Sequence, residues 1–477
     1  TVIDAPTARR FGLVALAVAA TAAAAASGIV YPSSHAPALA GGALVAAVVF
    51  VAFVRRPVWA LYAALFSVML PIGLLPATVQ SNLNRGLTII AFAVWLISVI
   101  VQRHPITWTV PATFMSAFVA WGLVTLFWAN NLDAGLNGIQ TYTLRLILYL
   151  VLVTNQIRTQ ESLDGLMKTL MASGWVLVFA GLGTLLFEGY TPGSRFQVLE
   201  LNQNEVGILA LVALPGVLWQ AIRSSGRQRT INTLLSYAFV AIVSVLVVMT
   251  GSRGSAISLG IAFAAFSIWK CTRPWAKLGV VLLAVALISM PVLFSTLTTR
   301  FALAGGDTAL GGREAIWQAA VHVIREHFWG GVGIGGARYA VSPYVAVLRS
   351  VKGYGDVAIH NPVLDIWAGT GLVGILLYLG VLMTAMGMFV SQYRRCRRTD
   401  SLAPYFALIS AVFVGYMASW IKAGGGESDY SYFLMLSLLV VPSRLAIDLI
   451  KNHAGNAQSD GVALPAGAGA CHPDVVA

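Results

Sequence analysis

Long apolar runs, almost free of charge, alternate with short polar segments from Phe11 to Leu449. A helix that crosses a bilayer needs roughly 20 mostly apolar residues, whereas membrane barrels show weakly alternating strands of about ten. Leu234–Thr250 and Val280–Ser295 are unbroken apolar stretches. The pattern therefore predicts an all-α polytopic membrane protein. Its expected spans are approximately 11–30, 38–54, 58–77, 86–102, 110–129, 138–155, 166–187, 205–222, 232–250, 255–270, 278–296, 361–391, 402–421 and 431–449. Because short Gly-broken segments can be half-spans, this amounts to about 12 to 14 transmembrane helices. They divide the chain into N-terminal transmembrane helices (1–295), a long extramembrane loop (296–359), C-terminal transmembrane helices (360–451) and an Ala-, Gly- and Pro-rich tail (452–477). The tail has no apolar period and reads as disordered.

Composition narrows the function. Hydrophobic residues make up 58% of the chain and charged ones 10%, far below the charged fraction of about 25% in soluble domains. The net charge of +12 does not point to nucleic acid, because no basic domain stands outside the apolar runs. It is topological: Arg9/Arg10, Arg55/Arg56, Arg103, Arg158/Lys168, Arg223 to Arg229, Lys270 to Lys277, Arg394 to Arg398 and Arg444/Lys451 fall in every second loop. Cytoplasmic loops retain such residues, so both termini are expected in the cytoplasm and the loop 296–359 outside it. Arg9 and Arg10 followed by an apolar run could mark a signal peptide, but the basic pattern of later loops fits a retained first span better. Three cysteines, Cys271, Cys396 and Cys471, form no CxxC pair or disulfide framework, and no metal or cofactor is expected.

Outward loops should be poor in cations, so the exceptions are informative. Arg85 lies in Ser-Asn-Leu-Asn-Arg-Gly, Arg195 in Thr-Pro-Gly-Ser-Arg-Phe and Arg253 in Thr-Gly-Ser-Arg-Gly-Ser. Each opposes the orientation bias. An arginine can snorkel or be solvated in a loop, but a turn of Gly and Ser leaves Arg253 little apolar surface to cover. Exposed backbone N–H groups and a forked guanidinium suit a phosphate. After Arg195, Leu201-Asn-Gln-Asn-Glu opens a span; Asn202 or Asn204 caps that helix with Glu205 at its dipole, or the amides bind sugar.

In the long loop, Ile316, Ala320, Val323 and Ile324 share one helical face, predicting an amphipathic helix along the membrane surface. Arg313 stands at its start, where a cation opposes the dipole and an anion bound nearby would be a reason for it. His322 and His327 are five apart, not a metal spacing. The following Trp-Gly-Gly-Val-Gly-Ile-Gly-Gly-Ala-Arg-Tyr, which ends in Arg338 and Tyr339, lacks a βαβ context and reads as a turn allowing close approach. Asn361 and Pro362 then suit an N-cap and a first helical residue, which puts His360 at the outer interface. The positive end of that helix disfavours imidazolium, leaving a neutral base. Asp365 either complements the dipole or orients a polar site.

These residues resemble the bacterial superfamily of O-antigen ligases, O-antigen polymerases and protein O-oligosaccharyltransferases. The resemblance runs from about Arg195 to Gly374 and rests on Arg195 with Asn202-Gln203-Asn204, Gly251-Ser252-Arg253-Gly254, Gly312-Arg313 with Trp317, and Gly331-Val-Gly-Ile-Gly. Most specific is His360-Asn361, nine residues, Gly371, two residues, Gly374, the ligases' His-(Asn/Ser/Gln)-x9-Gly-x-x-(Gly/Thr/Tyr) spacing. Asn-Gln-Asn stands where the family commonly has Asn-Pro-Asn. The resemblance implies a metal-independent, GT-C-like glycosyltransferase of the inner membrane working on its periplasmic face. The implied donor is O-antigen on undecaprenyl diphosphate, the acceptor the lipid A-core oligosaccharide.

The chemistry of the residues agrees in kind. A prenyl diphosphate leaving group develops negative charge that Mg²⁺ or guanidinium groups can neutralise. No outer-face Asp-x-Asp pair occurs, Glu427 and Asp429 being the nearest carboxylates, so Arg195, Arg253 and Arg313 are the expected diphosphate ligands. His360 is the expected general base, and direct displacement inverts the anomeric centre. A polymerase or a protein oligosaccharyltransferase is the neighbouring reading. From another class, a lipid-linked sugar flippase would place its ionisable residues near the bilayer midplane rather than at helix ends.

Overall fold

The computed structural model describes residues 48–191, 195–269, 272–275, 277–282, 313–348, 357–396, 401–423 and 430–459. The expected span 11–30, the first part of 38–54 and the region 283–312 lie outside the described residues. The helices are α1 (Val48–Arg55), α2 (Pro57–Val68), α3 (Ala77–Gln102), α4 (Val110–Thr125), α5 (Leu132–Gln156), α6 (Gln160–Phe187) and α7 (Gln203–Arg223). Then follow α8 (Gly226–Met249), α9 (Arg253–Phe266), α10 (Arg313–Glu326), α11 (Ala337–Leu348), α12 (Pro362–Cys396), α13 (Ala403–Ala423) and α14 (Tyr430–Ser459). Among the described residues no strand occurs. Nine of these helices are long and apolar enough to cross a membrane, and α1 with α2, bent by 116°, makes a possible tenth span. The protein is an all-helical, multi-pass membrane protein.

The bend falls at Arg56, whose extended φ of −135° follows from the Pro57 ring, which crowds the residue before it out of the helical region. At the centre, α7 packs against α6, α8, α9 and α13, and 83% of its most apolar window is buried.

Hydrogen bonds show which loops share an end of the bundle. At one end Asn155 bonds Thr107 in both directions, Arg158 donates to the Pro105 carbonyl at 2.8 Å, Tyr405 donates to Asp164, and Arg223 lies 3.6 Å from the same carboxylate. This end carries the basic loops. At the other, the Asn130 amide donates to Val332 O (3.0 Å) and the Glu200 amide to Ile72 O (3.3 Å). Arg195, Arg253, Arg313 and His360 belong to this second end, where the chain turns back between α6 and α7, between α8 and α9, and before α12. Inside the bundle, Arg145 sits over the Phe433 ring at 5.6 Å, one residue before a π-helical turn, Leu146–Leu152.

The stripe of α10 does not face the bilayer surface, and that expectation is corrected. Ile316, Ala319, Ala320, Val323 and Ile324 are buried in a small second core with Val341 and Val345 of α11, Ile359 and Ala368. The loop holds two amphipathic helices, and each covers the other's apolar face, so neither stripe is left over for lipid.

Helix α12 is not continuous. Gly371 has φ +68° and ψ −171°, which separates a nine-residue leg, 362–370, from the remainder of the helix. The polar groups freed at the break are taken up by neighbours: the Leu372 amide donates to Phe328 O (2.8 Å), the Val332 amide to Ala368 O (3.0 Å) and the Trp121 indole to Thr370 O (2.8 Å). A Cβ on Gly371 would stand 2.1 Å from Trp329 O, and one on Gly331 2.4 Å from Gly369 O. Only glycines permit this contact between two backbones. Gly371→Ala is expected to lower stability by at least about 2 kcal/mol, from the left-handed backbone and the clash together. Gly183→Ala on α6, where a Cβ meets nothing within 4 Å, should stay within about 0.5 kcal/mol. Thermal unfolding of the two purified variants in one detergent is the check.

Candidate active site

Two groups of expected site residues form at the same end of the bundle. The first is built around the turn from α8 to α9. Gly251 takes φ +66°, and Ser252 caps α9 by accepting the Ser255 amide at 3.3 Å. The Ser252 hydroxyl also donates to Asn204 Oδ1 at 2.6 Å, and the Ser255 hydroxyl to the Asn204 carbonyl at 3.3 Å. A Cβ on Gly207 would come within 2.2 Å of the Ser255 Cβ, so α7 and α9 approach closely where their polar ends meet. Arg195 joins from the loop before α7: its Nε donates to Thr250 O (3.2 Å), and the Phe196 amide to Met249 O (3.0 Å). Arg195 and Arg253 are thus held on one turn. Arg253 is the first residue of α9, where backbone N–H groups favour an anion.

Of the two asparagines, Asn202 takes the capping role. Its side chain accepts the Asn204 amide at 3.0 Å, and Glu205 reaches back to the Asn202 amide at 3.3 Å, completing a capping box. Asn204 is instead the residue that fastens α7 to the Ser252 turn.

The second group joins α10 to the start of α12. Asn361 Oδ1 accepts the amides of Val363 (3.0 Å) and Leu364 (3.2 Å), the cap expected of it. His360, just ahead, has φ +54°. Backbone of this kind is uncommon outside glycine, although histidine is among the residues that adopt it more often, and it costs of order 1–3 kcal/mol unless its surroundings impose it. Here they do: the Trp317 indole donates to Ile359 O at 3.0 Å, and Ile359 is buried in the second core. The half-buried imidazole is pushed below the ordinary histidine value by burial and by the adjacent Arg313 guanidinium. Arg313 is itself half-buried, which lowers its own pKa. The nine residues of the leg set His360 about 13 Å from the break at Gly371, at 1.5 Å per helical residue.

The other expected residues lie on α3, α11 and α12, and the Asp365 amide donates to Asn361 O (2.9 Å). Arg85 is exposed on α3, Arg338 lies in the first turn of α11 with its carbonyl accepting the Val357 amide (3.3 Å), and Asp365 is half-buried in the first turn of α12. Asp429 and Glu427 lie outside the described residues. Among the described residues no three His, Cys, Asp or Glu side chains lie together in a way that could hold a metal ion. Sequence reasoning marked the small-residue turn that contains Ser252 and Ser255 but not their bonds to Asn204, and it missed Trp121, whose indole meets its partner 249 residues away.

The fold and these groups define a polytopic membrane protein with cationic and imidazole side chains at helix ends on one side. Residues 238–379 match the family model described as O-Antigen ligase. Over that segment the chain is similar to O-antigen ligases, in line with the resemblance, and the match supports a function of the O-antigen ligase or polymerase type in general. Arg253, Arg313 and His360 fall inside the match; Arg195, Asn202 and Asn204 precede it. No curated protein matches the chain.

Burial and, beside it, Arg313 should hold the titration of His360 low. Carbethoxylation requires neutral imidazole, so its rate at His360, followed by peptide mass spectrometry, should show a midpoint below 6.5. In Arg313→Gln the repulsion on imidazolium is gone, and the midpoint is expected to rise.

Proposed function

We propose that the protein is an O-antigen ligase: an inverting, metal-independent glycosyltransferase with a GT-C-like helical architecture. It transfers O-antigen polysaccharide from undecaprenyl diphosphate to the lipid A-core oligosaccharide on the periplasmic face of the inner membrane, with both termini cytoplasmic. The observation that supports this reading is the placement of His360, half-buried just ahead of the Asn361 cap of α12 and disfavoured as imidazolium by burial and by the adjacent Arg313.

In this reaction the acceptor hydroxyl oxygen attacks the anomeric carbon from the side opposite the diphosphate. His360 takes the hydroxyl proton, the new glycosidic bond forms, and the bond to the diphosphate oxygen breaks with its electron pair. The leaving undecaprenyl diphosphate gains charge, which Arg195 and Arg253 stabilise from the one turn that holds them. Each hydrogen bond to a charged group is worth about 1.5–3 kcal/mol. Arg313 contributes twice, as a cation near the diphosphate and as a charge that adds to burial in holding the base neutral. A cation at the helix start that has both an anion to bind and a base to tune is consistent with its unfavourable place on the dipole.

The test is transfer by purified protein in micelles, given lipid-linked glycan and lipid A-core without ATP or divalent metal. His360→Ala should lose about 10²- to 10⁴-fold in rate, the usual worth of a general base, and Arg195→Ala or Arg253→Ala about 10- to 100-fold. Wild-type transfer by His360→Ala would remove the base assignment. Elongation of the glycan without lipid A-core would identify a polymerase, and movement of donor across a bilayer without product a flippase. The rate requires neutral imidazole, so it should fall on acidification through the His360 pKa. In Arg313→Gln, where that pKa is higher, the fall should begin at higher pH.

A further inference from the structure

Beside the leg of α12, at the end near Gly371 and away from His360, lies a cavity of about 260 Å³ that none of the chemistry above uses. It is smaller than the pockets of about 300–1,000 Å³ that take drug-sized ligands, and suits a single sugar ring. Its walls combine aromatic rings with hydrogen-bonding groups: Trp128 and Asn130 from the segment between α4 and α5, Glu326 and His327 from the end of α10, and Tyr344 from α11, over Val332.

These groups are pre-positioned. The Trp128 indole donates to the carbonyls of Gly330 (3.3 Å) and Gly331 (3.2 Å) and meets Trp121 edge-on at 6.0 Å, which fixes its ring. The Tyr344 hydroxyl donates to Glu326 Oε2 at 2.7 Å, His322 lies 3.3 Å from Glu326 Oε1, and the Tyr344 and His322 rings stand edge to face at 4.4 Å. A carboxylate has about four acceptor sites, so Glu326 is oriented by two partners and keeps acceptor capacity. Asn130 is held by its amide to Val332 O (3.0 Å) and its Nδ2 to Gly336 O (3.4 Å).

The ligand class follows from this lining. An anion would meet the Glu326 carboxylate, and a lipid tail would make no use of the acceptor capacity that Glu326 keeps beyond its two partners. A pyranose presents C–H faces to aromatic rings and hydroxyls to carboxylate and amide. We propose that this pocket is a carbohydrate subsite, holding one sugar of the glycan a short oligosaccharide away from the point of transfer. The inference rests on the glycosyltransferase reading for its ligand, but its residues are distinct from those of the reaction. The backbone bond from Val332 to Ala368 O ties the pocket floor to the leg that carries His360. Sugar bound there is therefore indexed to the base.

The test is titration calorimetry on the full chain in micelles with two probes: lipid-free core oligosaccharide, and oligosaccharide of the O-antigen repeat. Glu326→Ala and Asn130→Ala, checked for unchanged thermal unfolding, should each weaken at least one probe by about tenfold, the equivalent of one charge-assisted hydrogen bond. Loss confined to the core probe assigns the subsite to the acceptor, and loss confined to the repeat assigns it to the donor glycan. In transfer assays the same variants should raise the KM of that substrate more than they lower kcat. Binding of both probes unchanged in both variants, or no binding of either probe to the wild type, overturns the subsite. His360→Ala separates the two readings: sugar binding that survives in it supports the subsite whatever happens to transfer.

Discussion

The break in α12 is the constraint on which the site depends. A helix interrupted at the edge of the bilayer leaves amide and carbonyl groups that lipid cannot satisfy, each at a cost of several kcal/mol. This protein satisfies them with the backbone of its glycine-rich turn and the indole of Trp121, over contacts so close that a single Cβ at Gly331 or Gly371 would collide with main chain. The second core of α10 and α11 is built on the same joint, because Val332 and Ala368 belong both to the stitching and to that core. What looks in the sequence like a flexible run of glycines is a rigid weld between the extramembrane helices and a span.

From this weld the electrostatics follow. The second core buries Ile359 and brings Trp317 to its carbonyl, which holds His360 in a left-handed turn and half out of water. Arg313, at the start of the helix whose face fills that core, comes beside the imidazole. Burial and a neighbouring cation then act in the same direction, both against protonation. The other arginines are organised separately, Arg253 on a turn whose Ser252 and Ser255 hydroxyls bond Asn204 and Arg195 by its bond to Thr250 O. The reaction proposed here needs both groups, an anion grip and a neutral base, on one side of the membrane.

Much of this was legible in residue order. Apolar run length marked the nine long apolar helices among the described residues, whereas the expected span 58–77 is one leg of a bent pair and 255–270 a 14-residue helix; the alternation of basic loops placed Arg195, Arg253, Arg313 and His360 at a common end. The Asn361–Pro362 pair marked the start of α12 to the residue. The bilayer makes these features legible, since it forces each span to satisfy its own backbone. What escaped the reading depends on contacts between distant segments. Amphipathicity tells that a stripe is buried but not against what, so the partner of α10 emerged only with α11 in place. Between capping and sugar binding, Asn202 and Asn204 could not be told apart until Ser252 was seen to engage one of them. The role of Arg313 toward His360 spans 47 positions and leaves no local trace, and the break at Gly371 reads in sequence as one more glycine in a span.

The leg between His360 and Gly371 behaves as a ruler. Its length is two and a half helical turns anchored at a joint that cannot slide, so the height of the imidazole above the apolar slab is set by a count of residues. Inserting or deleting one residue would displace the ring by about 1.5 Å and swing it by roughly 100° about the axis, away from Arg313. Side chains of the leg hold that register from both sides, Ile366 in the main core and Ala368 in the second, so neither the count of peptide units nor its phase is free to drift.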